Sequence, residues 1–492
     1  MERRLQLARR LLKPSGVIFV SIGDDEQHRL RMLMDQVFGR INFVANLAVE
    51  MSTTSGPKTT NAQQGTIVKN VEYVLIFRKS AAFDDVRHTP LYDGIDKWDA
   101  NYPLWLNEDG TTESVYERLD EEPQVRRDIE RFELVHEKGK KKGKFIGAPA
   151  MDVLLAASEP ARELILNNLH RIGRTDTPPV SARNADVPVG RWVEHRTEGR
   201  TYRVTRSSRG KVWQIYTLDR NYRTSDDYEP RFGRTVIRGD LWRGFHSDMG
   251  HVSTEGGVGF PNGKKPVRLI KQLIKWANND PDVVVLDFFG GSGSTTHAVM
   301  EMNAADGGKR QSILVTNNEV GKADSDVLRA RGHLPGSPEW ESRGVFESVT
   351  RPRIETVVTG IREDGSRYSD GLPETVVFYE LTYLDPEVVK VDSAYEAVAP
   401  LLWMRAGGSG PVLGEASTHG FSVTERYGVL HDVDAWQAFA SALPDTATTA
   451  FIVTDSPSAF STAADALPTT VEKVRLYERY ISTFEINTGK GS

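Results

Sequence analysis

The residues best suited to chemistry lie together in Val283-Val-Val-Leu-Asp-Phe-Phe-Gly-Gly-Ser-Gly-Ser-Thr-Thr296. An apolar, β-branched run ends in Asp287, glycines follow at 290, 291 and 293, and Ser294, Thr295 and Thr296 open the next segment. This order predicts a strand, a tight turn and a helix start. Such a turn lets a ligand reach bare backbone at the positive end of a helix, with a carboxylate beside it. The chemistry it suits is binding of a nucleoside cofactor at the C-terminal end of the strand. The same glycines also serve simply to bring a helix close to a strand. The turn does not match Gly-x-x-x-x-Gly-Lys, which argues against a phosphate loop that hydrolyses a nucleoside triphosphate. A nicotinamide cofactor stays open at this point. Ile313 to Thr316 reads as the next strand, and Glu319 just beyond it sits where an acid can bind ribose hydroxyls, a role open also to Asn317 or Asn318, while all three equally suit a simple strand-end cap.

Around this segment the elements can be placed by spacing. Leu5, Ala8, Leu11 and Leu12 predict a helix stopped by Lys13-Pro14-Ser15-Gly16. Val17 to Ile22 reads as a buried strand. Leu30, Leu33, Met34, Val37 and Phe38 predict a helix behind Asp24 and Asp25, ending at Gly39. Phe43–Val49 and Val71–Phe77 read as strands, with a polar loop from Ser52 to Thr66 between them. From about Ala82 to Arg243 the apolar runs shorten and Trp, Tyr and Arg become frequent. Leu154–His170 reads as one helix, while Arg191–Val204 and Lys211–Leu218 read as strands of an irregular β-rich module. Lys264-Lys265-Pro266 opens a helix with Val267, Ile270 and Ile274 on one face.

Composition narrows the classes. The chain has 492 residues, 39% hydrophobic and 26% charged, as in globular proteins. With a net charge of -6, any nucleic-acid surface has to be local. The lack of cysteine excludes disulfides, thiolate zinc sites and a cysteine nucleophile, and fits a reducing cytoplasm. No apolar run approaches a membrane span, and no metal cluster or Ser–His–Asp arrangement stands out. His28 and His297 read as structural residues. Two basic stretches are candidate DNA surfaces. One is the loop Lys138–Lys144. The other comprises Arg191, Arg196, Arg200, Arg203, Arg206, Arg209 and Lys211, interleaved with Trp192, Tyr202 and Trp213; Arg231, Arg234, Arg238 and Arg243 are further basic residues of the same region, and either stretch also reads as an ordinary solvated surface.

Asp287-Phe-Phe-Gly-Gly-Ser-Gly-Ser-Thr-Thr-His-Ala-Val299 resembles the S-adenosylmethionine loop of DNA amino-methyltransferases of the N6-adenine/N4-cytosine type, whose pattern is Phe-x-Gly-x-Gly. Lys265-Pro-Val-Arg-Leu-Ile270 resembles the motif that precedes it. Leu7 to Ile22, Asp24 to His28, Leu33 to Gly39, Asn42 to Asn46 and Glu72 to Lys79 resemble, in order, the segments that follow the family's catalytic motif. The likeness is to β-class enzymes akin to the modification subunits of Type III restriction systems. It implies an α/β, Rossmann-like S-adenosylmethionine-dependent fold in permuted order: residues 1–84 and 246–365 form two parts of one sheet, 85–245 form an inserted target-recognition region, and 366–492 form a C-terminal α+β region of unassigned role. Carried onto this chain, it implies that Asp287 holds the methionyl amine, that Lys265, Pro266, Phe288, Phe289, Gly291, Gly293, Ser294 and Thr295 wall the cofactor, and that Glu319 takes the ribose.

The family's catalytic motif, Asp-Pro-Pro-Tyr, is absent from the sequence. Asp176-Thr-Pro-Pro-Val180 has an extra Thr and no aromatic residue, and reads as a turn. No catalytic residue is therefore assigned. The resemblance also implies a central strand between those ending at Asp287 and Ile22, which this chain would lack. The expectation is a truncated or split adenine-N6 (alternatively cytosine-N4) methyltransferase of a restriction–modification or phage-defence system, inactive alone. Its expected partners are double-stranded DNA, a polypeptide carrying the motif, a restriction subunit and a second copy. The alternative is a non-catalytic DNA-binding or assembly subunit.

Overall fold

The apolar stripe of the N-terminal residues folds as spaced. In the computed structural model, which describes residues 1–53, 65, 67–260, 264–381, 395–415 and 417–476, Glu2–Leu11 form helix α1, Val17–Ile22 strand β1 and Asp24–Phe38 helix α2. Gly39 ends α2 at φ 89°, a conformation glycine adopts without a Cβ clash. Phe43–Glu50 (β2) and Val71–Arg78 (β3) follow. Most of the polar loop expected between them lies outside the described residues.

The inserted region begins with Tyr92–Gly94 (β4), Leu104–Leu106 (β5) and Thr112–Ser114 (β6). Helices Val115–Glu121 (α3) and Pro123–Arg131 (α4) come next. The single helix expected over Leu154–His170 is instead two, Met151–Ala157 (α5) and Glu159–Asn167 (α6). The break is chemical: the Ser158 hydroxyl accepts from the Ala161 N–H at 3.2 Å, and Pro160 then suits a first helical turn but not an interior. After Ile172–Asp176 (β7), the strand expected over Arg191–Val204 is a hairpin, Val193–Thr197 (β8) and Arg200–Arg206 (β9). Its two-residue turn holds Glu198 and Gly199 at φ 49° and 74°, the left-handed pair that matches strand twist.

Val212–Thr217 (β10) completes a six-stranded sheet in the order β6-β5-β7-β10-β9-β8. Tyr222–Thr224 (β11) and Phe232–Ile237 (β12) join β4 in a second, three-stranded one. Helices α3 to α6 bury Val115, Leu119, Val125, Ile129, Met151 and Leu154 against Trp105 and Ile172. The region is thus a mixed α/β module with its own core, in which the strands expected over Arg191–Val204 and Lys211–Leu218 belong to the six-stranded sheet.

Leu241–Trp242 (β13) returns to pair in parallel with β2, giving a sheet ordered β1-β3-β2-β13. Val267–Ala277 (α7) then leads into Val284–Asp287 (β14), Ser294–Asp306 (α8) and Gln311–Leu314 (β15). Strands β14 and β15 pair in parallel, Val284 opposite Gln311 and Asp287 opposite Leu314. Helix α7 serves both sheets. Leu269 and Leu273 pack with Leu47, Val49, Val74 and Ile76, whereas Ile270 and Ile274 pack with Val283, Val285 and Val299. On the other side, Phe288 joins the cluster of Leu5, Ala8, Leu30 and Met34 that α1 and α2 lay over Leu75 and Phe77. Among the described residues β1 pairs only with β3, and β14 only with β15. Lys322–Ala330 (α9) and Arg351–Thr359 (α10) complete this unit, which spans Met1–Thr375.

The second unit is Val376–Ser492. Tyr395–Arg405 (α11), Trp436–Ala442 (α12) and Pro457–Asp465 (α13) accompany a sheet of Phe421–Val423 (β16), Tyr427–Leu430 (β17), Thr449–Ile452 (β18) and Glu472–Arg475 (β19), in that order. β17, β18 and β19 run parallel. Both faces of β17 and β18 are buried, which is why Tyr427–Leu430 and Thr449–Ile452 show no polar alternation.

Candidate functional site

The turn after β14 needs its glycines for distinct reasons. Gly291 and Gly293 lie at φ 47° and 75°, where a side chain is strained. Gly290 is needed for closeness, since a Cβ there would stand 2.6 Å from Leu314 Cγ. The turn is closed by the Gly293 N–H donating to the Gly290 carbonyl at 2.8 Å and by the Gly290 N–H donating to the Val315 carbonyl at 3.1 Å. Gly293 immediately precedes the 13-residue helix α8, so the turn sits at a helix N-terminus.

Asp287 is bound into this turn. Its Oδ1 accepts from the Phe289 N–H at 3.0 Å and its Oδ2 from the Thr295 hydroxyl at 2.6 Å. Each oxygen keeps a second lone pair for a further donor. Phe288 turns inward, while Phe289 is half exposed, its ring 5.1 Å from that of Phe288 and capped by the Arg4 guanidinium at 5.2 Å. Ser294 is buried and hydrogen-bonded within the protein.

Because β14 and β15 are parallel, their C-terminal ends lie side by side, and the turn neighbours residues 315–319. Asn318 is committed to structure: its Oδ1 accepts the N–H groups of Phe346 and Glu347 at 3.1 and 3.2 Å, and its Nδ2 donates to Glu341. Glu319 receives the Val345 N–H on its backbone carbonyl at 3.0 Å and leaves its side chain exposed. Asn317 is exposed as well. Lys265 pairs with Glu72 of β3, and Pro266 caps the start of α7.

Behind the turn is a buried polar network that the sequence reading passed over. Arg353, fully buried on α10, donates to Ser294 Oγ at 2.8 Å, to Glu255 at 3.0 Å and to His297 Nδ1 at 3.1 Å. Arginine has no acceptor, so Nδ1 of His297 must accept. Its Nε2 then carries the proton that faces Glu301 at 3.1 Å, which makes His297 structural. Lys264, also buried, donates to the carbonyls of Ser253, Glu255 and Val258, and burial next to Arg353 pushes its pKa down to about 8. The legible signal was Arg353 itself, a charge at helical spacing among Val349, Ile354 and Val357.

Glu301 is the strongest electrostatic element here. Burial would raise its pKa, but hydrogen bonds from His297 and Lys271 outweigh it and take the pKa to about 2. A carboxylate so depressed stabilises the fold fully above about pH 4.5, and that contribution is lost as pH falls towards 2. The side chain is 35% exposed, so solvent screening discounts the effect. Glu301→Gln is expected to cost roughly 2 kcal/mol at pH 7. Urea unfolding of both proteins should show that gap closing between pH 4.5 and 2. A constant gap would assign the loss to packing.

The basic residues of the inserted region divide into two groups. Arg238 is buried and bonded to Asp93 and Gln272, Arg234 to Asp99, and Arg206 to the Ala185 carbonyl; all three hold the fold. Arg231 pairs with Asp96 at the surface, and Arg191 donates to the Asp109 carbonyl. Arg196, Arg200, Arg209 and Arg243 are exposed. The pairing register places Arg196, Arg203 and Trp213 on one face of β8–β9–β10, with Lys211 3.8 Å over the Trp213 ring. Lys138 and Lys140 to Lys142 are exposed. Asp176, in the nearest string to the missing motif, ends β7 and accepts from the Thr177 N–H, as a turn residue does. His28 is exposed in the first turns of α2. Among the described residues no cluster of His, Asp or Glu is placed to hold a metal ion, and no helix is long and apolar enough to cross a membrane.

A glycine turn and an acid at the C-terminal ends of parallel strands are features shared by α/β proteins that bind ligands at strand ends. The family model for DNA methylases matches residues 1–313, and the chain belongs to that family. It is 27% identical over 370 residues to the Type III restriction-modification enzyme StyLTI Mod subunit of Salmonella typhimurium, covering 74% of this chain and 45% of that protein. It is likewise 27% identical over 371 residues to the EcoPI Mod subunit of Escherichia phage P1, covering 72% and 48%. To the Type II methyltransferase M.KpnI of Klebsiella pneumoniae it is 24% identical over 319 residues, covering 64% and 65%. The chain thus spans about half the length of these Mod relatives.

Proposed function

We propose that the unit Met1–Thr375 binds S-adenosylmethionine at the ends of β14 and β15 and serves methylation of DNA, at adenine N6 with cytosine N4 as the alternative. The observation that carries this reading is the turn itself. Its left-handed glycines leave backbone bare beside Asp287, at the start of α8 and next to the half-exposed Phe289 ring. A cationic amine suits the spare lone pairs of Asp287, a flat purine suits the Phe289 ring, and ribose hydroxyls suit the exposed carboxylate of Glu319. Lys265 and Pro266 would line the same cleft. When bound, the cofactor supplies an electrophilic methyl group. This chain's residues hold and orient it.

Residues 1–84 and 246–365 are, in this reading, two parts of one methyltransferase sheet in permuted order. Support comes from the edges of β1 and β14, unpaired among the described residues, and from α7, which packs against both sheets on one side while Phe288 meets the α1–α2 layer on the other. A strand carrying Asp-Pro-Pro-Tyr would fit between those edges. The exposed side of the β14–β15 pair, with Val284 and Ile313 about half exposed, would be covered by the same partner polypeptide. Residues 85–245 would read DNA through the face bearing Arg196, Arg203, Lys211 and Trp213. A restriction subunit and a second copy are further partners in this reading. The lack of Asp-Pro-Pro-Tyr equally favours a non-catalytic DNA-binding subunit, and methyl transfer after adding the motif-bearing polypeptide separates the two.

Calorimetric titration with S-adenosylmethionine is expected to show saturable binding. Affinity for NAD or ATP with none for S-adenosylmethionine would sink the reading. In DNA binding, replacing Arg196, Arg203 and Lys211 together by Gln should reduce the dependence of log K on log salt by about 2 to 3. An unchanged slope would move the DNA surface elsewhere.

A further inference from the structure

We propose that Thr350 and Arg353 are positioning residues that hold the three cofactor-facing segments in register with one another. The inference rests on the cofactor reading above and adds residues to which that reading assigns no role.

The three segments are Lys265–Pro266, the turn Asp287–Thr295 and Asn317–Glu319. They are far apart in sequence, yet each is tied to the single stretch Val345–Arg353. Asn318 accepts the N–H groups of Phe346 and Glu347, and Glu319 accepts that of Val345. The Thr350 hydroxyl lies between the carbonyls of Gly291 and Val345. Arg353 donates to Ser294 Oγ, and more weakly to the Ser292 Oγ and carbonyl at 3.4 and 3.5 Å. On its far side the same guanidinium binds Glu255, whose carboxylate also accepts the first N–H of α7 at 3.2 Å. Glu255 therefore joins Arg353 to the segment opened by Lys265 and Pro266.

Thr350 and Arg353 are both fully buried and belong to helical backbone that cannot slide independently. Residues Phe346–Thr350 form a π-helical turn, a wider winding that often marks a functional position. Gly256, at φ 77°, has no room for a Cβ, which would meet Arg353 Cγ and Nε at 2.6 Å. The backbone is thus drawn against the arginine. An ion pair this buried is weak evidence of stabilisation, because desolvation offsets its attraction. What it supplies here is fixed geometry. The carbonyl of Gly291 is restrained separately, by the Thr350 hydroxyl, where a glycine peptide could otherwise rotate at little cost.

The test uses the full chain and compares Thr350→Val, Thr350→Ser and Arg353→Lys with wild type. Two quantities are read: the calorimetric Kd for S-adenosylmethionine, and hydrogen exchange of the amides of residues 289–293 in the unliganded protein. Thr350→Val removes the hydroxyl at constant shape, and is expected to weaken binding about tenfold and to speed exchange in the turn. Thr350→Ser keeps the hydroxyl and is expected to restore both. Arg353→Lys is expected to behave as Thr350→Val, because an ammonium cannot reach Ser294 and Glu255 together. Exchange in Tyr427–Leu430 serves as a control and should not change. Faster exchange with an unaltered Kd, or Thr350→Ser failing like Thr350→Val, would overturn the positioning role. Wild-type protein that binds no S-adenosylmethionine would instead remove the cofactor reading, and the exchange data would still report whether the restraint on the turn exists.

Discussion

Incubated with S-adenosylmethionine and DNA of mixed sequence, the chain alone is expected to transfer no methyl groups above background. An exocyclic base amine is a poor nucleophile because its lone pair is delocalised into the ring. Transfer needs acceptors for the amine hydrogens and a surface to hold the base out of the duplex. Positioned proton acceptors contribute about 10²–10⁴ in rate, and alignment of the reacting atoms contributes more. The sequence contains no Asp-Pro-Pro-Tyr, and its nearest string, at Asp176, sits in the inserted module as a turn. A co-expressed polypeptide bearing that motif at the end of a β-strand is therefore expected to raise transfer by at least about 10⁴. Transfer of tritiated methyl groups measures both states. Turnover by the unaccompanied chain would show that other residues accept the amine hydrogens.

Gly293→Val should weaken S-adenosylmethionine binding about a hundredfold, the equivalent of about 3 kcal/mol. A β-branched residue at φ 75° costs on the order of 1–3 kcal/mol. Its Cβ would also stand 3.3 Å from Thr350 Cγ2 and 3.6 Å from Ile354, so the branches have no room in the native turn. The turn is then expected to open, carrying Gly291 and the first N–H groups of α8 away from Asp287. Gly307→Ala is the control. It lies at the other end of the same helix at φ 70°, with nothing within 4 Å of its Cβ. Strain alone should lower the melting temperature there and leave binding intact. Equal loss of affinity in both variants would mean that helix stability, not turn geometry, governs the site.

The glycine turn after β14 was legible because its physics is local. Only glycine enters left-handed backbone freely, and a β-branched run before such a turn has few folds open to it. The same holds for α1, β1, α2, β2 and β3, whose apolar spacing and end signals agree with one another. Local chemistry that was under-read accounts for two errors: Ser158-Glu-Pro160 splits a helix, and Glu198-Gly199 folds one expected strand into a hairpin.

Other features depend on which residues meet after folding. The thirteen Arg and Lys residues from Arg191 to Arg243 look alike in sequence, yet Arg206, Arg234 and Arg238 are consumed by carbonyls and carboxylates of the fold. Asn318 and Glu319 are neighbours of similar polarity, but only Asn318 is committed to structure. Arg353 reaches Ser294 and Glu255 across 59 and 98 positions. By itself, the sequence determined where the chain can turn and which stretch offers bare backbone beside an acid, because those follow from φ/ψ limits of single residues. Tertiary structure alone decided which charges remain available and which buried groups steady the turn. Burial makes every polar group find a partner, and that partner is set by packing rather than by proximity along the chain.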